Sequence, residues 1–127
     1  MAITSVPTVL SSSTDVFINA GMTSRIQSFT ALSGSLSINP TSGGYSRILS
    51  PSGTLTVTFT GIPSGYSNVW YVEVNNKLAQ TVTFSGVSWS GGSSPTLTST
   101  ANKMSLLQFF SPDGGTTVYG TMLIASA

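Results

Sequence analysis

The 127-residue chain contains no cysteine and no histidine, and only seven side chains carry a formal charge. The seven are Asp15, Arg25, Arg47, Glu73, Lys77, Lys103 and Asp113, spaced singly along the sequence. Most enzyme mechanisms need a proton-transfer group, an activated nucleophile or a metal held by several ligands, and these residues give almost nothing from which to assemble one. The serines have no histidine to act as base, so serine hydrolysis is without support. Four cations spread over the chain cannot track a phosphate backbone, which argues against nucleic-acid binding. No apolar run approaches the length of a membrane span. Met1-Ala-Ile-Thr-Ser lacks the basic and apolar regions of a secretion signal, and the missing cysteine fits synthesis in a reducing cytoplasm.

What fills the sequence instead is serine and threonine, about a third of all residues, beside 39% hydrophobic residues and a net charge of +1. That apolar content permits collapse, and the length suits one domain with a core of its own. A surface covered by hydroxyls, with little charge to repel its copies, suits a protein that assembles into something larger.

Period-two alternation is the clearest local signal. In Thr54-Leu55-Thr56-Val57-Thr58-Phe59-Thr60 every second residue is apolar, which places Leu55, Val57 and Phe59 on one face of a strand. Asn68–Val74 alternates likewise, with Trp70, Val72 and Val74 inward, and Asn75-Asn76-Lys77 reads as a hairpin turn into a strand from Leu78 to Val87 carrying Val82 and Phe84. The segment 81–87 nearly repeats 56–62, as expected of two strands of similar burial in one sandwich. Met104–Phe110 and Thr116–Ala125 flank the turn Pro112-Asp113-Gly114-Gly115 and form a hairpin near the centre of a sheet. Further short strands are expected at 16–18, 26–32, 36–38, 47–49 and 96–98. Residues 1–10 lack any core periodicity and read as an extended arm, leaving 11–127 as the domain. No helical period persists for three turns. The expected fold is all-β: a single-domain antiparallel β-sandwich, jelly-roll-like, of about eight or nine short strands.

Candidate chemistry is sparse. Asp113, in a Pro-Asp-Gly-Gly turn, is placed to cap its own backbone amides rather than to bind metal. Glu73 and Lys77 stand at opposite ends of the expected hairpin turn and are placed to pair. The pair Gly91-Gly92 makes Ser88–Ser94 a loop, on which Trp89 is the foremost contact residue. Tyr66, Trp70, Tyr71 and Tyr119 are the other aromatic candidates, and such rings serve either as anchors of protein interfaces or as stacking platforms for sugars. The interface candidates are therefore Ile3, Val6 and Val9 of the arm together with Trp89 and Tyr66. No catalytic, cofactor-binding or metal-binding residue is expected.

From Val87 to Gly120 the chain resembles a segment of tailed-bacteriophage structural proteins. The resemblance rests on Trp89, Gly91, Gly92, Pro95, Leu97, Thr98, Phe109, Asp113, Gly114, Gly115, Thr116, Thr117, Tyr119 and Gly120. Ser90 stands where proline is frequent in that family, Val118 where tryptophan is frequent, and Lys103 near a position that is often acidic. The resemblance implies a virion β-module rather than one particular role, and the scarcity of catalytic side chains adds the expectation that it is not an enzyme. The expectation drawn from it is a decoration or cement protein on the outer capsid surface, binding the major capsid protein and copies of itself as a homotrimer. A single domain with no fibre shaft favours that role, and the arm would add a strand to a neighbouring subunit. The alternative is a tail-fibre tip or receptor-binding module that engages a host surface glycan.

Overall fold

The computed structural model describes residues 23–127. They form nine strands: β1 (Ile26–Thr30), β2 (Gly34–Ile38), β3 (Tyr45–Leu49), β4 (Leu55–Phe59), β5 (Asn68–Asn75), β6 (Val82–Phe84), β7 (Val87–Trp89), β8 (Met104–Ser111) and β9 (Val118–Ile124). One turn of 3₁₀ helix, Ser90–Gly92, follows β7. The all-β expectation holds. The strands make two sheets, one of six strands in the order β1-β3-β5-β8-β9-β7 and one of three in the order β2-β4-β6.

The expected antiparallel order is corrected by the pairing. Among the described residues β1 with β3, β3 with β5, β2 with β4, β4 with β6 and β7 with β9 run parallel, and only β5 with β8 and β8 with β9 run antiparallel. The first six strands alternate between the sheets, so each winding lays one strand in each and the next winding stacks beside it. This path differs from the antiparallel Greek keys of a jelly roll. The reason lies in the connections 31–33, 50–54 and 76–81, which are as short as hairpin loops but turn the chain out of the sheet. Immediately after β1, β3 and β5 stand Ala31, Ser50 and Asn76, with φ of 56°, 47° and 53°. One left-handed residue at the same point of each winding swings the backbone into the second sheet. The ladder continues through these corners: the Ala31 amide donates to the Leu49 carbonyl at 3.0 Å and the Ser50 amide to that of Asn75 at 2.9 Å. The Asn76 side chain also donates to the Ser50 hydroxyl at 3.0 Å. Asn75-Asn76-Lys77 is thus a corner between sheets, and the hairpin expected there is absent from the described residues.

The near-repeat noted in the sequence falls on β4 and β6, which are parallel neighbours. Their register sets Leu55 beside Val82 and Val57 beside Phe84, two residues away from the sequence alignment. A shift of two preserves which face each side chain occupies, so both strands still point their apolar residues inward. The segment 96–98, expected as a strand, is irregular, although Leu97 packs against the core. The strand expected at 16–18 lies outside the described residues.

The core lies between the sheets. Trp70, Val72 and Val74 of β5, Leu107 and Phe109 of β8, Ile48 of β3, and Ile38, Leu55 and Val57 of the second sheet are all buried. Phe109 is the hub, with ring centroids 4.8 Å from Phe59, 5.1 Å from Phe84, 5.7 Å from Trp89 and 6.0 Å from Trp70. Ser105 and Ser111 lie on the same inward face of β8, and both are hydrogen-bonded. The Ser105 hydroxyl donates to the Ala125 carbonyl at 2.8 Å and accepts from the Thr98 amide at 2.9 Å, while that of Ser111 accepts from the Gly115 amide at 2.8 Å. Buried hydroxyls are tolerated when they are paired in this way.

Candidate binding face

The inward set on β5, β8 and β9 fixes what the far side of the six-stranded sheet presents. Because faces alternate, Val69, Tyr71 and Glu73 of β5 point outward with Leu106, Gln108 and Phe110 of β8 and Tyr119 and Thr121 of β9. Cross-strand register orders these into rows. One row runs Val69–Phe110–Tyr119–Ser88 from β5 to β7, and the next runs Tyr71–Gln108–Thr121. Val69, Phe110 and Tyr119 are 53%, 45% and 41% exposed. The Phe110 and Tyr119 rings stand 5.1 Å apart at 30°, forming a tilted shelf. In the second row the Gln108 amide donates to the Tyr71 hydroxyl at 3.2 Å. Around the shelf opens a groove of about 430 Å³ lined by Ser88, Trp89, Ser90, Gln108, Phe110, Tyr119, Gly120 and Thr121. None of its lining residues is charged.

Further across the same face lies the one ion pair among the described residues. Register sets Arg47 of β3 directly beside Glu73 of β5, and the guanidinium Nε sits 3.3 Å from the carboxylate. The expected Glu73–Lys77 pair is corrected accordingly: the Lys77 ammonium donates instead to the carbonyls of Leu78 and Gln80 at 3.1 and 2.7 Å. Burial pushes the Glu73 carboxyl up, but donors from Asn75, Tyr45 and Arg47 together outweigh it and hold the group below the usual carboxylate range. The Tyr45 phenol donates to Glu73 at 2.8 Å. Burial first, then that hydrogen bond, pushes its pKa up to about 12. Both Glu73 carboxylate oxygens are partnered, by Tyr45, Arg47 and Asn75, which makes the cluster a structural clasp between β3 and β5.

Trp89 stands at the end of β7, where the sequence suggested a loop. It is half-buried, packed edge-on against Phe84 and Phe109 at 6.0 and 5.7 Å. The groove meets the part of Trp89 that remains open. Tyr66 is 55% exposed, in the connection between β4 and β5. Ile3, Val6 and Val9, with the rest of the arm, lie outside the described residues. Asp113 accepts the Thr117 amide at 2.7 Å and the Ser111 hydroxyl at 3.2 Å, as its turn context suggested. Those hydrogen bonds, the Thr117 amide foremost, hold its carboxyl below the ordinary aspartate value.

Sequence reasoning missed Phe110 and Gln108 as surface residues because Met104–Phe110 is apolar on both faces. A signal was present: Phe110 and Tyr119 straddle the Asp-Gly-Gly turn, and a hairpin closed there sets them opposite each other. Comparison with protein-family models, curated proteins and solved structures gives no match.

Proposed function

We propose that the chain is a non-enzymatic virion module of a tailed bacteriophage that decorates and cements the outer capsid surface as a homotrimer. The observation that supports this reading is the exposure of large apolar side chains, Ile26, Tyr66, Val69, Leu78, Phe110, Tyr119 and Leu123, on a nearly uncharged protein. Of these, Val69, Phe110 and Tyr119 are contiguous across three strands, and a contiguous apolar patch on a folded domain marks a surface that meets a partner. The partners in this reading are the major capsid protein and further copies of the chain. Binding only the assembled lattice stabilises that lattice by mass action, without chemistry. Ile26, 65% exposed on the edge strand β1, and Tyr66 are the contact residues assigned to the shell.

Electron microscopy of intact particles tests this reading. Density for the protein over the whole shell, and heat resistance lost when it is stripped, is the expected result. Density confined to the tail refutes it. Recognition of a host glycan is the second reading, and the uncharged groove beside the Phe110–Tyr119 shelf favours it.

A further inference from the structure

The groove between β7 and β9 is suited to a particular ligand chemistry. Its aromatic row and its hydrogen-bonding row lie side by side, so one edge of a ligand meets rings while the other meets Gln108 and Thr121. The hydroxyls of Ser88, Ser90, Tyr119 and Thr121 make no side-chain hydrogen bond with any described residue; Gln108 uses one amide proton on Tyr71, and its carbonyl oxygen accepts none from a described residue. A charged ligand would find no counter-charge among the lining residues. A wholly apolar one would strand those hydroxyls and that carbonyl, at about 1–3 kcal/mol for each group left buried and unpaired. A peptide added as a strand would pair with the outer edge of β7 and lie beside the sheet, not over the shelf, which stands on β8 and β9, whose backbones are paired on both sides. A neutral polyhydroxylated ring meets each demand: its C–H face covers the exposed rings, and its hydroxyls both donate to and accept from the second row.

We propose that this groove is a binding site for a neutral saccharide, with Phe110 and Tyr119 as the stacking shelf and Gln108 and Thr121 as the orienting groups. The inference rests on the glycan reading and holds wherever on the particle the module sits. From Phe110 to Ser88 the row that lines the groove crosses two inter-strand steps, about 10 Å, so the occupant is a short saccharide. The site relocates the sugar platform from Trp89, whose ring is engaged by the core, to the hairpin rings beside it.

The test applies the full-length protein to a printed array of neutral and acidic glycans, followed by calorimetric titration with the best neutral ligand, or with maltotriose and tri-N-acetylchitotriose if none stands out. Expected are saturable binding to neutral glycans, shifts of the Gln108 side-chain amide resonances on binding, and affinity unchanged between low and high salt. Tyr119→Ala should weaken binding at least tenfold, and Tyr119→Phe, which keeps the ring, by less. Tyr119 is exposed, so folding is preserved in both variants and is checked by thermal melting. Binding to acidic glycans alone, saturable binding that Tyr119→Ala leaves intact, or no binding on the array and in titration overturns the proposal. So does a self-association or capsid contact that Tyr119→Ala abolishes. The array result is independent of particle location: shell density with sugar binding keeps both readings, and shell density without it removes only this one.

Discussion

Phe109 and Phe110 are adjacent in sequence and opposite in environment, which makes them a sharp test of the register. Phe109 is wholly buried and touches Phe59, Phe84, Trp70 and Trp89, whereas Phe110 is 45% exposed on the outer face. Truncating a buried phenylalanine to alanine removes its transfer free energy and leaves a cavity, together about 3–5 kcal/mol. The rigid rings around Phe109 cannot collapse into the gap, so the upper half of that range is expected. Phe110→Ala loses only partial burial and one ring contact, about 1 kcal/mol or less. With a urea m-value of about 2 kcal/mol per molar, Phe109→Ala moves the unfolding midpoint down by roughly 2 M, a large share of a typical 5–15 kcal/mol domain stability. Phe110→Ala moves it by less than about 0.5 M. Urea titration followed by tryptophan fluorescence reads both. Equal losses at the two positions would refute the reasoning, because they would mean that the outer face is covered as thoroughly as the core.

Gly120 packs so that an added methyl would come within 2.8 Å of the Trp89 ring and 3.0 Å of that of Phe109; Gly120→Ala should therefore destabilise by about 1–3 kcal/mol through overpacking and disturb Trp89 fluorescence. Ala31 is exposed with φ of 56°. Ala31→Gly should stabilise by about 0.5–1 kcal/mol in denaturant titration, since relief of left-handed strain slightly exceeds the added chain entropy. The Glu73 carboxyl is held below its ordinary value of 4.5, so its contribution is present above that pH and is lost as pH falls through the folded-state value. Acid melting curves of Glu73→Gln should accordingly lose part of the steep decline below pH 4.5 seen in the parent. At the alkaline end Tyr45, raised from 10.0 to about 12, contributes below pH 10 and loses that contribution as pH climbs toward 12, a decline that Tyr45→Phe should remove.

Strand content was legible because alternation is a local property. Leu55, Val57, Trp70, Val72 and Val74 are buried where period two put them, and Asp113 caps its turn as its neighbours suggested. Pairing direction was illegible because it depends on where the chain goes after a strand. Five residues from Ser50 to Thr54 would close a hairpin as readily as they cross between sheets, and the left-handed turn at Ser50 has no marker in its side chain. Asn76, a residue that tolerates that conformation, is the visible hint, but its Asn-Asn-Lys context reads equally as a hairpin turn. The groove was hidden for a related reason. Gln108 and Thr121 become neighbours only through the β8–β9 register, which sets residues 13 apart side by side.

The stacked windings also give the protein a direction of growth. At one end the antiparallel β8 covers the free edge of β5 and closes the six-stranded sheet to further windings on that side. At the other end β1 and β2 are the outermost strands of their sheets among the described residues, and both present backbone groups to whatever lies beyond. A duplicated segment inserted ahead of β1 would lengthen each sheet by one strand, about 4.8 Å, and leave the hairpin and its groove untouched. The length of the sheets and the shape of the hairpin face are therefore separable in this architecture, and selection can act on one without disturbing the other.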